Sequence, residues 1–137
     1  MGDLLGHAVR FGVAKEVMAA GEGIETVLSL RQALPKMSMV AALSAGHLAA
    51  LLFPAHLRRL YIVRDNDPAG DGARDSLVAR AHEVGIEAIT LSPRLGDFND
   101  DLTACGLDAL RAHIRVQLAP EDVSRFLTQD HVNRRRG

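Results

Sequence analysis

The chain reads as an α/β domain with a parallel core sheet of about four strands flanked by helices. Two observations predict this: short continuously apolar runs alternate with helix-period stretches, and acidic clusters recur just after those runs. The clearest strand, Leu60-Tyr61-Ile62-Val63, is apolar throughout, as a strand covered on both faces should be.

Glu16 to Ala20 is predicted as the first core strand, ending at Gly21-Glu22-Gly23. A helix follows from Thr26 to Leu34, with Val27, Leu28, Leu30 and Leu34 on one face and Pro35 as its stop. Met39 to Leu43 is a short buried strand, and Gly46 to Leu52 a helix closed by Pro54. Leu60–Val63 runs into Arg64-Asp65-Asn66-Asp67-Pro68-Ala69-Gly70, and Asp71 to Val84 is a helix ended by Gly85. Ala88 to Leu91 is the fourth strand, Ser92 to Asp101 a loop, and Leu107 to Leu118 a final amphipathic helix. There is room for an antiparallel edge strand over His7–Phe11. Residues 1–127 are read as a single domain, and residues 128–137, with Arg134-Arg135-Arg136, as a basic tail.

Composition narrows the function. The 137 residues are 47% hydrophobic and 24% charged, enough apolar material for an independent core. Only 4% are aromatic, so platforms for stacking single-stranded bases are scarce. The formal net charge of −1 rules out gripping nucleic acid by bulk charge; any such contact is local or assisted by metal or other domains. The lone Cys105 excludes an internal disulfide and a multi-cysteine zinc site, and points to a reducing cytoplasmic setting. No apolar run approaches the ~20 residues that span a membrane. The six histidines lack metal-site spacing.

Three acidic clusters fall after three predicted strands: Glu22, then Asp65 with Asp67, then Asp97 with Asp100. In an open parallel sheet, the loops at the carboxyl edge converge on one crevice. Carboxylates gathered there repel by ~4 kcal/mol per pair at 4 Å and an effective dielectric of 20. A divalent cation relieves that repulsion, and magnesium prefers carboxylate oxygens and water. Each cluster also has a plainer reading. Asp-Asn-Asp-Pro-Ala-Gly is a good turn, and Gly-Asp-Phe-Asn-Asp a good helix cap; their joint placement favours the site. An EF-hand fails, because counting from Asp65 puts Ala69 at position 5 and Ser76 at position 12. A receiver-like phosphoacceptor domain fails too, since Lys15 and Lys36 lie too early to supply its lysine.

These residues resemble a known family. Ala20-Gly21-Glu22-Gly23-Ile24-Glu25-Thr26, followed by Leu28-Ser29, resembles the first Toprim motif, a strand ending in Glu-Gly. Ile62 to Gly70 resembles its Asp-x-Asp motif, and Asp97-Phe98-Asn99-Asp100 its third acidic element. Ala41 to Gly46 looks like the second strand of the primase-like branch carried by plasmids and phages. The resemblance spans residues 8–118 and implies the compact three-layer fold shared by DnaG-type primases, topoisomerases, OLD-type nucleases and recombination proteins. It implies Glu22 as general base or acid, and Asp65, Asp67 and Asp97 as ligands of Mg2+ or Mn2+. Arg64, Arg74 and Arg94 are candidates to hold nucleotide or nucleic-acid phosphate, with Glu25, Asn99 and Asp100 in support. The implied partners are DNA or RNA, nucleotides, and other domains of a larger primase or helicase protein.

Two departures stand out. Gly96 occupies the place where the branch often has a lysine, and Thr26 the place where primases carry a further acid. A topoisomerase would need a tyrosine nucleophile, and Tyr61 lies inside the apolar strand. Three readings stay open: a Toprim domain for primer synthesis, a Toprim nuclease, and a non-catalytic module binding metal and nucleic acid.

Overall fold

The computed structural model describes residues 8–13 and 15–127. A five-stranded sheet forms the middle layer, in the order β1-β3-β2-β4-β5. Its strands are β1 (Val9–Phe11), β2 (Val17–Gly21), β3 (Ser38–Ala41), β4 (Arg59–Val63) and β5 (Glu87–Leu91). The four core strands run parallel, and β1 pairs antiparallel with β3 at the edge. The edge strand is thus present over Val9–Phe11, while His7 lies outside the described residues.

Alternation along each strand divides the core in two. One face of β2 offers Val17 and Ala19 to a layer containing α1 (Ile24–Ala33), α4 (Phe98–Cys105), α5 (Leu107–Arg115) and α6 (Pro120–Phe126). The other face offers Met18 and Ala20 to α2 (Ala45–Ala49) and α3 (Pro68–Glu83). All five residues of β2 and of β4 are buried, as expected of strands covered on both sides. Among the described residues, no helix is long and apolar enough to cross a membrane.

Several boundaries differ from the sequence expectation. The first helix starts at Ile24 rather than Thr26, with Gly23 as its N-cap. Leu28, placed on its apolar face, is 41% exposed, and Thr26 and Ser29 are buried instead. The helix after the Asp-x-Asp segment starts at Pro68, because proline's fixed φ suits the first helical position. The expected loop Ser92–Asp101 gives way at Phe98 to α4, nucleated by a capping box between Asp97 and Asp100. Cys105 therefore ends α4 and is exposed. The helix expected to run to Leu118 stops at Arg115, and α6 follows, too short to show a period.

α6 is anchored by a buried polar knot. Asp122, 1% exposed, accepts hydrogen bonds from Arg59 at 3.0 Å and from the Tyr61 hydroxyl at 2.5 Å. The same hydroxyl accepts from the backbone N–H of Ala119 at 2.9 Å. Burial, together with the bond to Asp122, holds the Tyr61 phenol well above its ordinary pKa, the opposite of what a nucleophile needs. Removing Asp122 takes the acceptor from the buried Tyr61 hydroxyl and from one arm of Arg59, which keeps Glu87 and Glu121, so Asp122→Ala should lower stability by about 1–3 kcal/mol. Tyr61→Phe, which leaves the Ala119 N–H without its acceptor while Asp122 keeps Arg59, should cost about 1–2 kcal/mol. Urea unfolding of both variants measures this, and a neutral Asp122→Ala would show that α6 is not held by the knot.

Candidate functional site

The two central strands bring the first acids together. Gly21 is the register partner of Val63, so Glu22 and the Arg64-Asp65 segment leave adjacent strands side by side. Close approach is needed here: a Cβ at Gly21 would lie 2.9 Å from the Val27 side chain and 3.0 Å from that of Val63. On the other side, Arg64 N–H donates to Leu91 O at 2.9 Å, which ties the segment to the end of β5. Asn66 then crosses to the loop that carries the third acid. Its backbone N–H donates to Gly96 O at 2.8 Å, and its side-chain amide to Leu95 O.

At this edge Asp65 is half-buried. Burial lifts its carboxyl from 3.8 up to about 6, and the charges of Asp97, Glu22 and Asp67 push the same way. A hydrogen bond from Thr26 opposes them by favouring the carboxylate. The other three acids expected to converge are thus each near enough to act on Asp65. A Cβ on Gly70 would lie 3.9 Å from Glu22 Oε1, so the Glu22 carboxylate reaches the first turn of α3. Asp67 is exposed and immediately precedes that helix.

Asp97 has a structural duty as well. Its side chain accepts from Asp100 N–H at 2.8 Å, and the Asp100 carboxylate accepts from Asp97 N–H at 3.2 Å. Asp100 is thus a capping residue, turned to its own helix. Gly96 fits that cap, since a Cβ there would lie 2.6 Å from Asp100 Oδ2. Asn99 accepts from Ser29 Oγ at 3.2 Å, which pins α4 to α1. Glu25 is exposed on the first turn of α1.

The three arginines take different places. Arg64 pairs with Asp71 at 2.9 Å and also bonds Asn66. Arg74 pairs with Asp71 at 3.5 Å and with Asp75 at 3.0 Å. Arg94 is exposed on the loop before Asp97. The roles of two residues escaped the sequence reading. Asp101, 2% exposed, accepts from the N–H groups of Arg94 and Leu95, each at 2.8 Å, and so shapes the loop that positions Asp97. Thr26 is read from the sequence as a helix start and motif residue in the place of a further acid, and its side chain hydrogen-bonds the Asp65 carboxylate. The run Asp97 to Asp101 held a signal for the first, because a third aspartate in a helix's opening turn faces back along the loop.

The donor set suits a hard divalent cation: oxygen only, anionic and mutually repelling. Among the described residues, however, no group of three or more His, Cys, Asp or Glu is close enough to hold a metal ion by itself. That fits magnesium's habit of taking one or two carboxylates and keeping its waters.

A family profile for the Toprim domain matches residues 17–108. Among solved structures, the chain is similar to the zinc-binding and RNA polymerase domains of the Aquifex aeolicus primase. The TM-score is 0.55 at 22% identity, over 74% of this chain and 26% of that one. It is also similar to the primase fragment of the bacteriophage T7 primase-helicase protein. There the TM-score is 0.54 at 15% identity, over 75% of this chain and 44% of that one. At such identities the likeness is one of fold, and the chain spans less than half the length of either. A search of the curated proteins finds no match.

The raised Asp65 makes a pH prediction. Its folded pKa of about 6 exceeds the unfolded 3.8, so its ionisation opposes folding. The penalty is absent below the unfolded value, grows between the two, and is complete above the folded one. Asp65→Asn keeps an acceptor for Thr26 and removes the charge. In EDTA at about pH 8 it should be more stable than the unaltered protein, by on the order of 1 kcal/mol after allowance for solvent screening. That corresponds to a melting temperature about 4 °C higher. The gap should close below about pH 4, where the native carboxyl is protonated anyway. A variant that melts lower at both pH values would make Asp65 a turn former.

Proposed function

Since the chain belongs to the Toprim domain family, we propose that it is the metal-dependent nucleotidyl- or phosphoryl-transfer domain of a primase-like replication protein. The observation that carries this reading is the Asp65 carboxyl, lifted to about 6 in part by Asp97, Glu22 and Asp67 at one sheet edge. Like charges gathered at one sheet edge are the environment that a bound cation relieves.

In this reading Asp65, Asp67 and Asp97 are the candidate ligands of Mg2+ or Mn2+, one or two of them binding directly and the rest through water. When bound, the ion neutralises charge on a phosphoryl group and orients the attacking and leaving oxygens. Glu22, beside the open first turn of α3, moves the proton of the attacking hydroxyl. Thr26 fixes the Asp65 carboxylate through its hydrogen bond. Asn99, Asp100 and Asp101 set the loop and helix start from which Asp97 projects. Arg94 is the cation best placed for phosphate, while Arg64 and Arg74 would first exchange their pairing with Asp71. The template is single-stranded DNA or RNA, the co-substrates are nucleotides, and the remaining primase or helicase domains come from a longer protein working in the cytoplasm. Residues 1–127 act as the domain and residues 128–137 as a basic tail that adds unspecific affinity.

Thr26, where primases of the family carry a further acid, supports a second reading: a module that binds metal and nucleic acid without catalysis. One experiment separates them. The chain is incubated with a single-stranded template, nucleotides and magnesium or manganese, and primer formation is followed on gels. Glu22→Gln should lower synthesis about 10²–10⁴-fold, the usual span for a lost general acid or base. Tyr61→Phe should stay within a few-fold. In melting experiments, magnesium at ten times its Kd should stabilise the unaltered protein by about 1.4 kcal/mol and Asp65→Asn by less. Metal stabilisation without any synthesis selects the binding module. Synthesis indifferent to Glu22→Gln removes the glutamate from the mechanism.

A further inference from the structure

We propose that the amino edge of the sheet carries a second site, which binds a phosphate group without metal. A pocket of about 360 Å³ opens there, between the segments entering β2 and β3 and the end of α6. Lys15, Lys36 and Arg125 line it with three cationic side chains, and none of its lining residues is acidic. Ser38 contributes a hydroxyl to the wall, while Val17 and Phe126 make an apolar floor. The Arg125 guanidinium lies 5.2 Å from the centre of the Phe126 ring, which directs it over that floor.

The surroundings strengthen the positive field. Among the described residues, three carboxylates near this edge pair with other arginines: Glu16 with Arg58 at 3.3 Å, and Glu121 and Asp122 with Arg59 at 3.1 and 3.0 Å. Arg31 adds a fourth cation beside the pocket, donating to Met37 O at 3.3 Å between Lys36 and Ser38. Val17 opens β2 and Glu22 follows its end, so the length of the strand, about 16 Å, separates this pocket from the acid cleft. That exceeds the ~8 Å screening length at physiological salt. An anion approaching the carboxyl edge without metal meets repulsion, whereas at the amino edge it meets three cations, a hydroxyl and an apolar wall. Several donors converging on one small volume suit a phosphate group, whose oxygens accept from several directions, better than a single carboxylate. The group can arrive on a free nucleotide or in the backbone of a single strand. This site is independent of the acid cleft.

The test is done in EDTA, which silences any metal-borne binding at the acids. ATP and a fluorescent single-stranded oligonucleotide are titrated into the protein, with binding read by anisotropy and by backbone amide shifts. Both ligands, or one of them, should move the amides of residues 36–40 rather than those of residues 22–26. The triple variant Lys15→Gln, Lys36→Gln, Arg125→Gln replaces exposed side chains and should weaken binding at least about tenfold. Arg115→Gln, another exposed cation, should change it less than about twofold. Loss for ATP alone names a free nucleotide as the source, and loss for the oligonucleotide alone names a strand. Binding unchanged in the triple variant, an equal loss with Arg115→Gln, or no shift at residues 36–40 in the unaltered protein would overturn the proposal.

Discussion

Parallel pairing of β2 with β4 is the constraint on which the rest of the molecule depends. Parallel strands begin at one edge of a sheet and end at the other, so whatever follows each strand is delivered to the same side. Here the register sets Gly21 against Val63, and the chain turns outward after both at the same level. Glycine is required at that point because Val27 and Val63 occupy the space a Cβ would take. A slip of one residue would exchange the two core faces of β2, putting Met18 and Ala20 where Val17 and Ala19 now pack. The same packing that sets the register therefore sets the distance between Glu22 and Asp65.

The loop that brings Asp97 is held differently. No strand pairing reaches it, and its position comes from the backbone bond of Asn66 to Gly96 and from the side chains of Asp101, Asn66 and, through Ser29, Asn99. These bonds join α4 to α1 and to the Asp-x-Asp segment, so the three acidic clusters form one mechanical unit. Asp97 also caps α4. A helix N-terminus carries partial positive charge, which favours an anion at its cap. The cap thus offsets part of the repulsion that Asp97 exerts on Asp65, and a local helix signal serves the site as well.

The sheet, and the placing of acids just after its strands, were legible because both are written in short-range patterns. Apolar runs such as Leu60–Val63 announce buried strands, and an acid directly after a strand goes wherever the strand ends. What escaped was long-range. The Ser92–Asp101 segment reads as a loop because Gly96 and the Asx residues favour turns, yet the reciprocal bonds of Asp97 and Asp100 start a helix there. α6 spans only Pro120–Phe126, and its place is fixed by Asp122 meeting Arg59 and Tyr61, residues some sixty positions away. Leu28 was assigned inward by helical spacing, but the buried arc is set by what α1 faces: Ser29 toward Asn99 and Thr26 toward Asp65.

Charge is distributed along the strands more than the net value of −1 suggests. Carboxylates gather where the parallel strands end, and Lys15, Lys36 and Arg125 gather where β2 and β3 begin. Arg58 and Arg59, entering β4, could have joined the second group, but they are tied to Glu16, Glu87, Glu121 and Asp122. Those pairs have unequal weight. Arg58 and Glu16 are 60% and 53% exposed, so their pair contributes little to stability and serves mainly to cancel charge. Arg59 and Asp122 are 8% and 1% exposed, and each would be costly to leave alone. The knot beneath α6 therefore holds the fold in a way that exposed pairs such as Arg58 with Glu16 do not. The acid cleft lies between these cases. There the ionised Asp65 opposes folding, and in the proposed reading a bound cation would offset that cost.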